Sequence, residues 1–389
     1  MKYLIIVYNF FTFLIIVIFA NRVSQNQLYL LIFIKKNGTI RIRRAMSTIM
    51  PFRWQNPIPY YVERPVNERL VDKALKRIEE KTCIRFRKTR YFQNGGIVYV
   101  RGEGCQSLIG KYSNRKPQTI EIGYDCEILG IIQHETFHAL GVTHEFTRPD
   151  RNQFIKLFPR NMDRMLLMSP TFNIDSPNSL STYGLRYDFG SLMHYGRFAG
   201  TSNGENTIET KNPNYLYTIG QVSEIGFNDA KLVNLHYCSH ICKRKLNCYN
   251  GGYTDPLDCS RCRCPRFYTG TLCGTLMESD SSCGDTKLIA TNEVQTFTIH
   301  GIKNCYIQIK APFGSKIKVI VAKTKFRTLQ ICHPGYGLEV KFLGDKSVSG
   351  AVLCGNIISA KFTSINNIIT MRYVGKESFN MAQIRYNVI

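Results

Sequence analysis

The chain has 389 residues, 44% of them hydrophobic, with 14 cysteines and a formal net charge of +23. That length exceeds one ordinary domain and suffices for two or three, with at least one sizeable core. The charge does not point to nucleic acid because it is dispersed: residues 1–44 hold 7 basic and no acidic side chains, 45–238 hold 24 against 19, 239–274 hold 6 against 2, and 275–389 hold 14 against 7. Without the concentrated basic face that phosphate binding uses, a general preference for acidic surfaces such as sulfated matrix is the most it supports.

The opening MKYLIIVYNFFTFLIIVIFA places Lys2 before an apolar run from Leu4 to Ala20, the pattern of a secretory signal over residues 1–20. The run is at the short end of the roughly 20 apolar residues that a span needs, so no stable membrane anchor is expected. Secretion implies an oxidising compartment, in which 14 cysteines form a disulfide framework. Residues 21–44 end in RIRR, a basic cluster that suits a furin-like processing protease cutting after Arg44 and leaving a mature start near Ala45. Asn37-Gly-Thr39, the one N-glycosylation sequon, leaves with this prosegment.

In NERLVDKALKRIEEK (67–81) Leu70, Ala74, Leu75 and Ile78 recur at helical spacing. Short β-rich runs follow at 83–89, 96–102 and 118–123, separated by Gly, Asn and Pro. A second helix is expected from Asp125, which can cap it, to Leu140, with Gly141 ending it. The result is a mixed α/β lobe. After Cys238 the composition changes: Cys242, Cys248, Cys259, Cys262, Cys264 and Cys273 crowd into 32 residues, too few to fold without cross-links. Disulfides outweigh a zinc cluster at Cys259, Cys262 and Cys264 in a secreted chain, though the sequence leaves their connectivity open. From Cys283 onward β-branched and polar residues alternate, which predicts an antiparallel sandwich closed by two local pairs, Cys283 with Cys305 and Cys332 with Cys354.

The chemistry concentrates in HETFHALGVTHEFTRPDR (134–151). His134 and His138, four apart on a helix, share one face and can converge on one ion. His144 would point away if the helix continued, but Gly141 accepts the left-handed conformation that turns the chain back and delivers a third ligand. Three protein ligands leave a position open for water, as in catalytic rather than structural zinc. Glu135 borders the same site and can take the proton of a water attacking a peptide carbonyl, then pass it to the leaving amine.

At every fixed position, His134, Glu135, His138, Gly141, His144, Glu145, Arg148, Asp150 and Arg151 included, the run resembles the astacin signature H-E-x-x-H-x-x-G-x-x-H-E-x-x-R-x-D-R. Astacins are zinc endopeptidases of the metzincin group, whose methionine turn SLMHY (191–195) resembles. The resemblance implies that Met193 forms an apolar floor under a single Zn2+ and that Tyr195 is a further ligand. A phenol is a weak ligand and a good donor, so Tyr195 can also serve a developing oxyanion. The likeness covers about Ala45–Cys238. It implies pairs Cys83–Cys238 and Cys105–Cys126, and a contact between Glu145 and the mature N-terminus. Prosegments of the family usually hold an aspartate over the metal, yet residues 21–44 contain no Asp, Glu or Cys. Latency then rests on the unformed N-terminal contact, or is incomplete.

The six-cysteine segment resembles an EGF-like module, and 283–389 a CUB domain. Glu339 and Asp345 alone are too few acids for a calcium site there. The expected architecture is thus multidomain: signal 1–20, prosegment 21–44, an α/β (α+β) metzincin-type catalytic domain 45–238, a small disulfide-rich EGF-like module 239–274 and an all-β CUB sandwich 283–389. Of the remaining groups, His194, His236, His240, His300 and His333 are expected to be structural or exposed, Asp188 a support for the turn, and Asp150 with Arg151 an ion pair. The expected function is a secreted zinc endopeptidase acting on extracellular protein, matrix or cuticle among them. The alternative is a non-catalytic matrix-binding protein on the same scaffold. If the appended modules act only in substrate choice, removing 239–389 leaves cleavage of small peptides intact.

Overall fold

The computed structural model describes residues 46–389. The expected signal, the sequon at Asn37 and the processing site at Arg44 lie outside them. No helix among the described residues is long and apolar enough to cross a membrane.

The first strand, β1 (Met46–Ser47), is short and leads to β2 (Ile58–Val62). Helix α1 (Glu68–Lys81) starts where Asn67 Oδ1 accepts the Leu70 N–H at 3.1 Å, and buries Val71, Ala74, Leu75 and Ile78. Leu70, expected on that face, sits at its margin, and Val71 takes its place. Strands β3 (Phe86–Lys88), β4 (Ile97–Arg101), β5 (Gln106–Ser107) and β6 (Gln118–Ile122) complete a five-stranded sheet in the order β3-β2-β4-β6-β5. All neighbours run parallel except the edge strand β5, antiparallel to β6.

Helix α2 spans Leu129–Ala139, four residues shorter at its start than expected. Cys126, tied to Cys105, sits in a separate 3-10 turn, and Ile128 is extended, so Asp125 cannot cap the helix. Eight of its eleven residues are buried, so it is enclosed rather than amphipathic. After α2 the chain makes mainly short turns and strands until α3 (Arg164–Met168) and α4 (Phe227–Tyr237), and Cys238 returns to Cys83.

The six-cysteine segment forms two two-stranded ladders held by Cys242–Cys259, Cys248–Cys262 and Cys264–Cys273. The rival zinc cluster is thereby excluded for these cysteines. Beyond it lies a β-sandwich. One sheet has the order 287–289, 303–310, 368–375, 337–341, 351–353; the other runs 295–300, 381–388, 317–325, 358–363. It departs from the expected antiparallel pattern once, where Lys287–Ile289 runs parallel to Gln308–Lys310. Cys283–Cys305 and Cys332–Cys354 are its two bridges.

Two large cores result. One lies under the first sheet, among Ile58, Val71, Ile78, Tyr99, Phe137 and Met193. The other is continuous between the segment after His144 and the sandwich, joining Phe146, Tyr187, Phe189 and Tyr215 to Val340, Phe342 and Val352. Arg266 of the small module bridges both neighbours, donating to Glu224 at 2.7 Å and to Glu339 at 2.6 Å. Glu339 Oε1 also accepts the Gly350 N–H, which ties this strand to the junction.

Candidate metal centre

Helix α2 presents His134 and His138 one turn apart. Gly141, at φ +99°, reverses the chain, and the Val142 carbonyl receives the His138 Nδ1–H at 2.8 Å. His144 follows with its Nε2 3.2 Å from the Nε2 of both other histidines. The His134 Nδ1–H donates to the Leu192 carbonyl at 2.9 Å. With Nδ1 thus occupied, His134 and His138 direct Nε2 at a common point, and the three nitrogens lie within 4.8 Å of one another. Burial, then repulsion from His134, pushes His138 down to about 3. Burial likewise lowers His134 and, with its histidine neighbours adding, His144. Three neutral imidazoles converging in this way suit zinc.

Glu135 is buried beside the cluster, and burial raises its carboxyl to about 8. The Tyr195 ring lies edge-on to His144, centroids 4.6 Å apart, and tilted over Phe146 at 4.3 Å; burial, then the Glu135 charge, raises its hydroxyl. Met193 is fully enclosed and its carbonyl accepts the Glu145 N–H at 2.9 Å, which ties the methionine turn to the residue after His144. His194 is buried, its Nδ1–H on the Tyr195 carbonyl and its Nε2 accepting from the Tyr187 hydroxyl, both at 2.7 Å.

Two groups differ from their sequence reading. Asp150 pairs with Arg148, through two bonds of 2.9 and 3.0 Å, and not with Arg151. Arg151 instead donates to the Phe146 and Phe172 carbonyls. One group escaped notice: Asp229, in α4, accepts from Ser191 Oγ, Leu192 N and Gly226 N, and so holds the methionine turn from below. Its local signal is an acid in the first turn of the helix FNDAKLVNLHY, after a glycine at the cap. Glu145 Oε1 accepts from Arg148 and from the Asp188 N–H, and burial outweighs the arginine to raise the carboxyl to about 7. Glu145, Asp188, Asn228 and Asp229 line a cavity of about 20 Å3 on which the Asn228 Oδ1 is buried without a partner.

The family model for astacin, a peptidase family, matches residues 48–238. Residues 48–238 belong to the astacin family. Zinc metalloproteinase nas-34 of Caenorhabditis elegans is 36% identical over 338 residues, 85% of this chain and 55% of that protein. Zinc metalloproteinase dpy-31 of Haemonchus contortus is 36% identical over 249 residues, 62% of this chain and 45% of that protein. The chain spans about half the length of the curated relatives it matches. Among solved structures, the medaka (Oryzias latipes) hatching enzyme HCE-1, a zinc-protease, is 30% identical with a TM-score of 0.43, covering 48% of this chain and 94% of that one. Zinc is the metal of these astacin relatives, and His134, His138 and His144 form the triad able to hold it here.

Proposed function

We infer that this chain is a secreted zinc-dependent endopeptidase that hydrolyses peptide bonds of extracellular proteins. The observation that carries the reading is the convergence of three neutral imidazoles, with the buried carboxyl of Glu135 following the first of them on α2 and the Tyr195 ring 4.6 Å from the third. His134, His138 and His144 would hold zinc, which would supply there a Lewis acid for the scissile carbonyl and for an attacking water. Glu135 acts as general base toward the attacking water and returns the proton to the leaving amine. Its burial suits it to both roles, since a raised pKa makes it a better base and a usable acid near neutral pH. Tyr195 donates its hydroxyl to the developing oxyanion.

Cleavage after Arg44 by a furin-like protease frees an amine next to Met46, whose strand already lies against Leu180 and Ser181. The acidic cavity beside Glu145 suits such an ammonium group, and its arrival completes the active form. The pairing of the six cysteines, first with third, second with fourth and fifth with sixth, supports an EGF-like module, and the two-sheet topology a CUB domain. Both suit recognition of matrix or cuticle proteins.

The test is Glu135→Ala in the chain cut at Arg44. Zinc content is expected to stay at one ion per chain while kcat/KM on unfolded protein falls about 10³- to 10⁴-fold. A variant that cleaves like the parent removes Glu135 from the mechanism.

A further inference from the structure

Asp188 stands five residues before Met193 and is 2% exposed. Its carboxylate accepts from Gly190 N at 3.0 Å, from Asn228 Nδ2 at 3.4 Å and, on both oxygens, from the N–H of Ser349 in the sandwich at 3.2 Å. The Asp188 N–H donates to Glu145 Oε1 at 2.8 Å, and the Glu145 N–H to the Met193 carbonyl. One unbroken run of hydrogen bonds therefore leads from residue 349 to the neighbour of His144 and to the floor of the metal centre. Glycine at 190 permits the approach: a Cβ there would lie 2.5 Å from both Cβ and Oγ of Ser349, with Asp188 Oδ1 next at 3.6 Å.

We propose that Ser349 is a positioning residue of the metal centre, acting through Asp188 to hold Glu145 and the methionine turn, so that the sandwich is part of the active site. The reason lies in the burial of Asp188 among acids. With Glu145 and Asp229 nearby, its charge needs donors from outside the peptidase segment, and the sandwich supplies Ser349 N–H and the positive Lys341. Withdrawing them leaves a buried carboxylate with fewer partners beside the turn that supports the metal. Two further contacts hold the sandwich in register, Cys332 N–H on the Tyr217 carbonyl at 2.7 Å and Val352 N–H on Thr218 Oγ1 at 2.9 Å.

The inference rests on the hydrolytic reading above, and the test separates the two. In the full chain, Gly190→Ala pushes Ser349 away, and Gly190→Ala with Ser349→Gly removes both clashing atoms while keeping the N–H. Gly190→Ala is expected to lower kcat on a peptide about 10- to 100-fold with little change in KM, and to speed zinc loss to a chelator, because small misplacements at a reacting centre are costly. The double variant is expected to recover most of both. Asp188→Asn, which keeps the shape but replaces one acceptor oxygen with a donor, is the second probe and is expected to show the same losses. The proposal is overturned if Gly190→Ala or Asp188→Asn behaves as the parent, or if the double variant stays as impaired as Gly190→Ala. If the parent itself cleaves nothing, the hydrolytic reading fails, and the zinc-release rates alone decide the role of Ser349.

Discussion

The first core lies wholly within the peptidase segment: α1 and α2 pack against the five-stranded sheet, Ile78, Tyr99, Ile120 and Phe137 are wholly enclosed, and Met193 with Leu232 and Val233 of α4 returns from beyond His144 to close it. After His144 the segment has few regular elements, and its buried aromatics Tyr187, Phe189 and Tyr215 share their core with the sandwich. Tyr215 stacks at 4.3 Å on Phe189 and lies 5.8 Å from Phe342 of the sandwich. The metal centre straddles the two cores, with Met193 buried in the first and Tyr195 packed against the second. A change of composition at Cys238 therefore marks a change of module, not the limit of a stable unit.

The largest test of this contrast is removal of residues 239–389. The sequence reading that confined the modules to substrate choice left small-peptide cleavage intact. The shared core speaks against it, since Phe189 and Tyr215 would be bared and Asp188 would lose Ser349. The truncated chain is expected to lose hydrolysis of short peptides, and limited proteolysis should cut it within 144–219 while sparing 58–139. Peptide cleavage at the parent rate would restore the modular picture.

Next in size is the bridge between the halves. Cys83–Cys238 spans 155 residues and Cys105–Cys126 only 21. On the loop-closure model, replacing the first pair with serines costs about 5 kcal/mol and the second about 3 kcal/mol. Calorimetry on the two double variants should show the larger drop in Tm for Cys83/Cys238; the reverse order would mean that α4 is held to the first lobe by packing alone.

Phe342→Ala comes third. It empties a site that is 6% exposed in the shared core and should cost about 3–5 kcal/mol. Because the damage lies on the side of His144 and Tyr195, it should also lower peptide cleavage. Ile78→Val in the first core, at about 1 kcal/mol, should leave cleavage unchanged. Equal effects of the two on kcat/KM would dissolve the distinction between the cores.

These differences mark where sequence reasoning stops. Helix period and one glycine suffice to bring His134, His138 and His144 together, because the information is local, within eleven residues. Helix α1 and the alternation of the sandwich strands are legible for the same reason. What was hidden depends on contacts between distant residues: Ser349 with Asp188 is 161 positions apart and Asp229 with Ser191 is 38. The Arg148–Asp150 pair was hidden differently, because a 3-10 turn at 145–147 replaces the helical geometry that would set side-chain directions. The early start assigned to α2 fails because Cys126 is held by a disulfide whose effect on the backbone has no local signature.

The smallest effect separates the cores by pH. In the sandwich, Lys346 is 2% exposed and its ammonium donates to the carbonyls of Lys341, Leu343 and Ile368, while Lys341 donates to the Lys346 carbonyl. Burial, with repulsion from Lys341, pushes Lys346 down to about 7 from an ordinary 10.5. An unfolded chain therefore binds this proton more tightly than the fold does. Stability is lowest near and below pH 7, and grows as the pH rises toward 10.5, by at most about 1.4 kcal/mol per pH unit for one lysine. Hydrogen exchange of the Val340 amide should slow between pH 7 and 9 once corrected for intrinsic rates, and Lys346→Met should flatten that gain. The single tryptophan, Trp54, is buried in the first core and reports on it separately. Its denaturant midpoint should carry little of the Lys346 dependence if the first lobe stands on its own core; a full share of it would show that the two halves unfold as one.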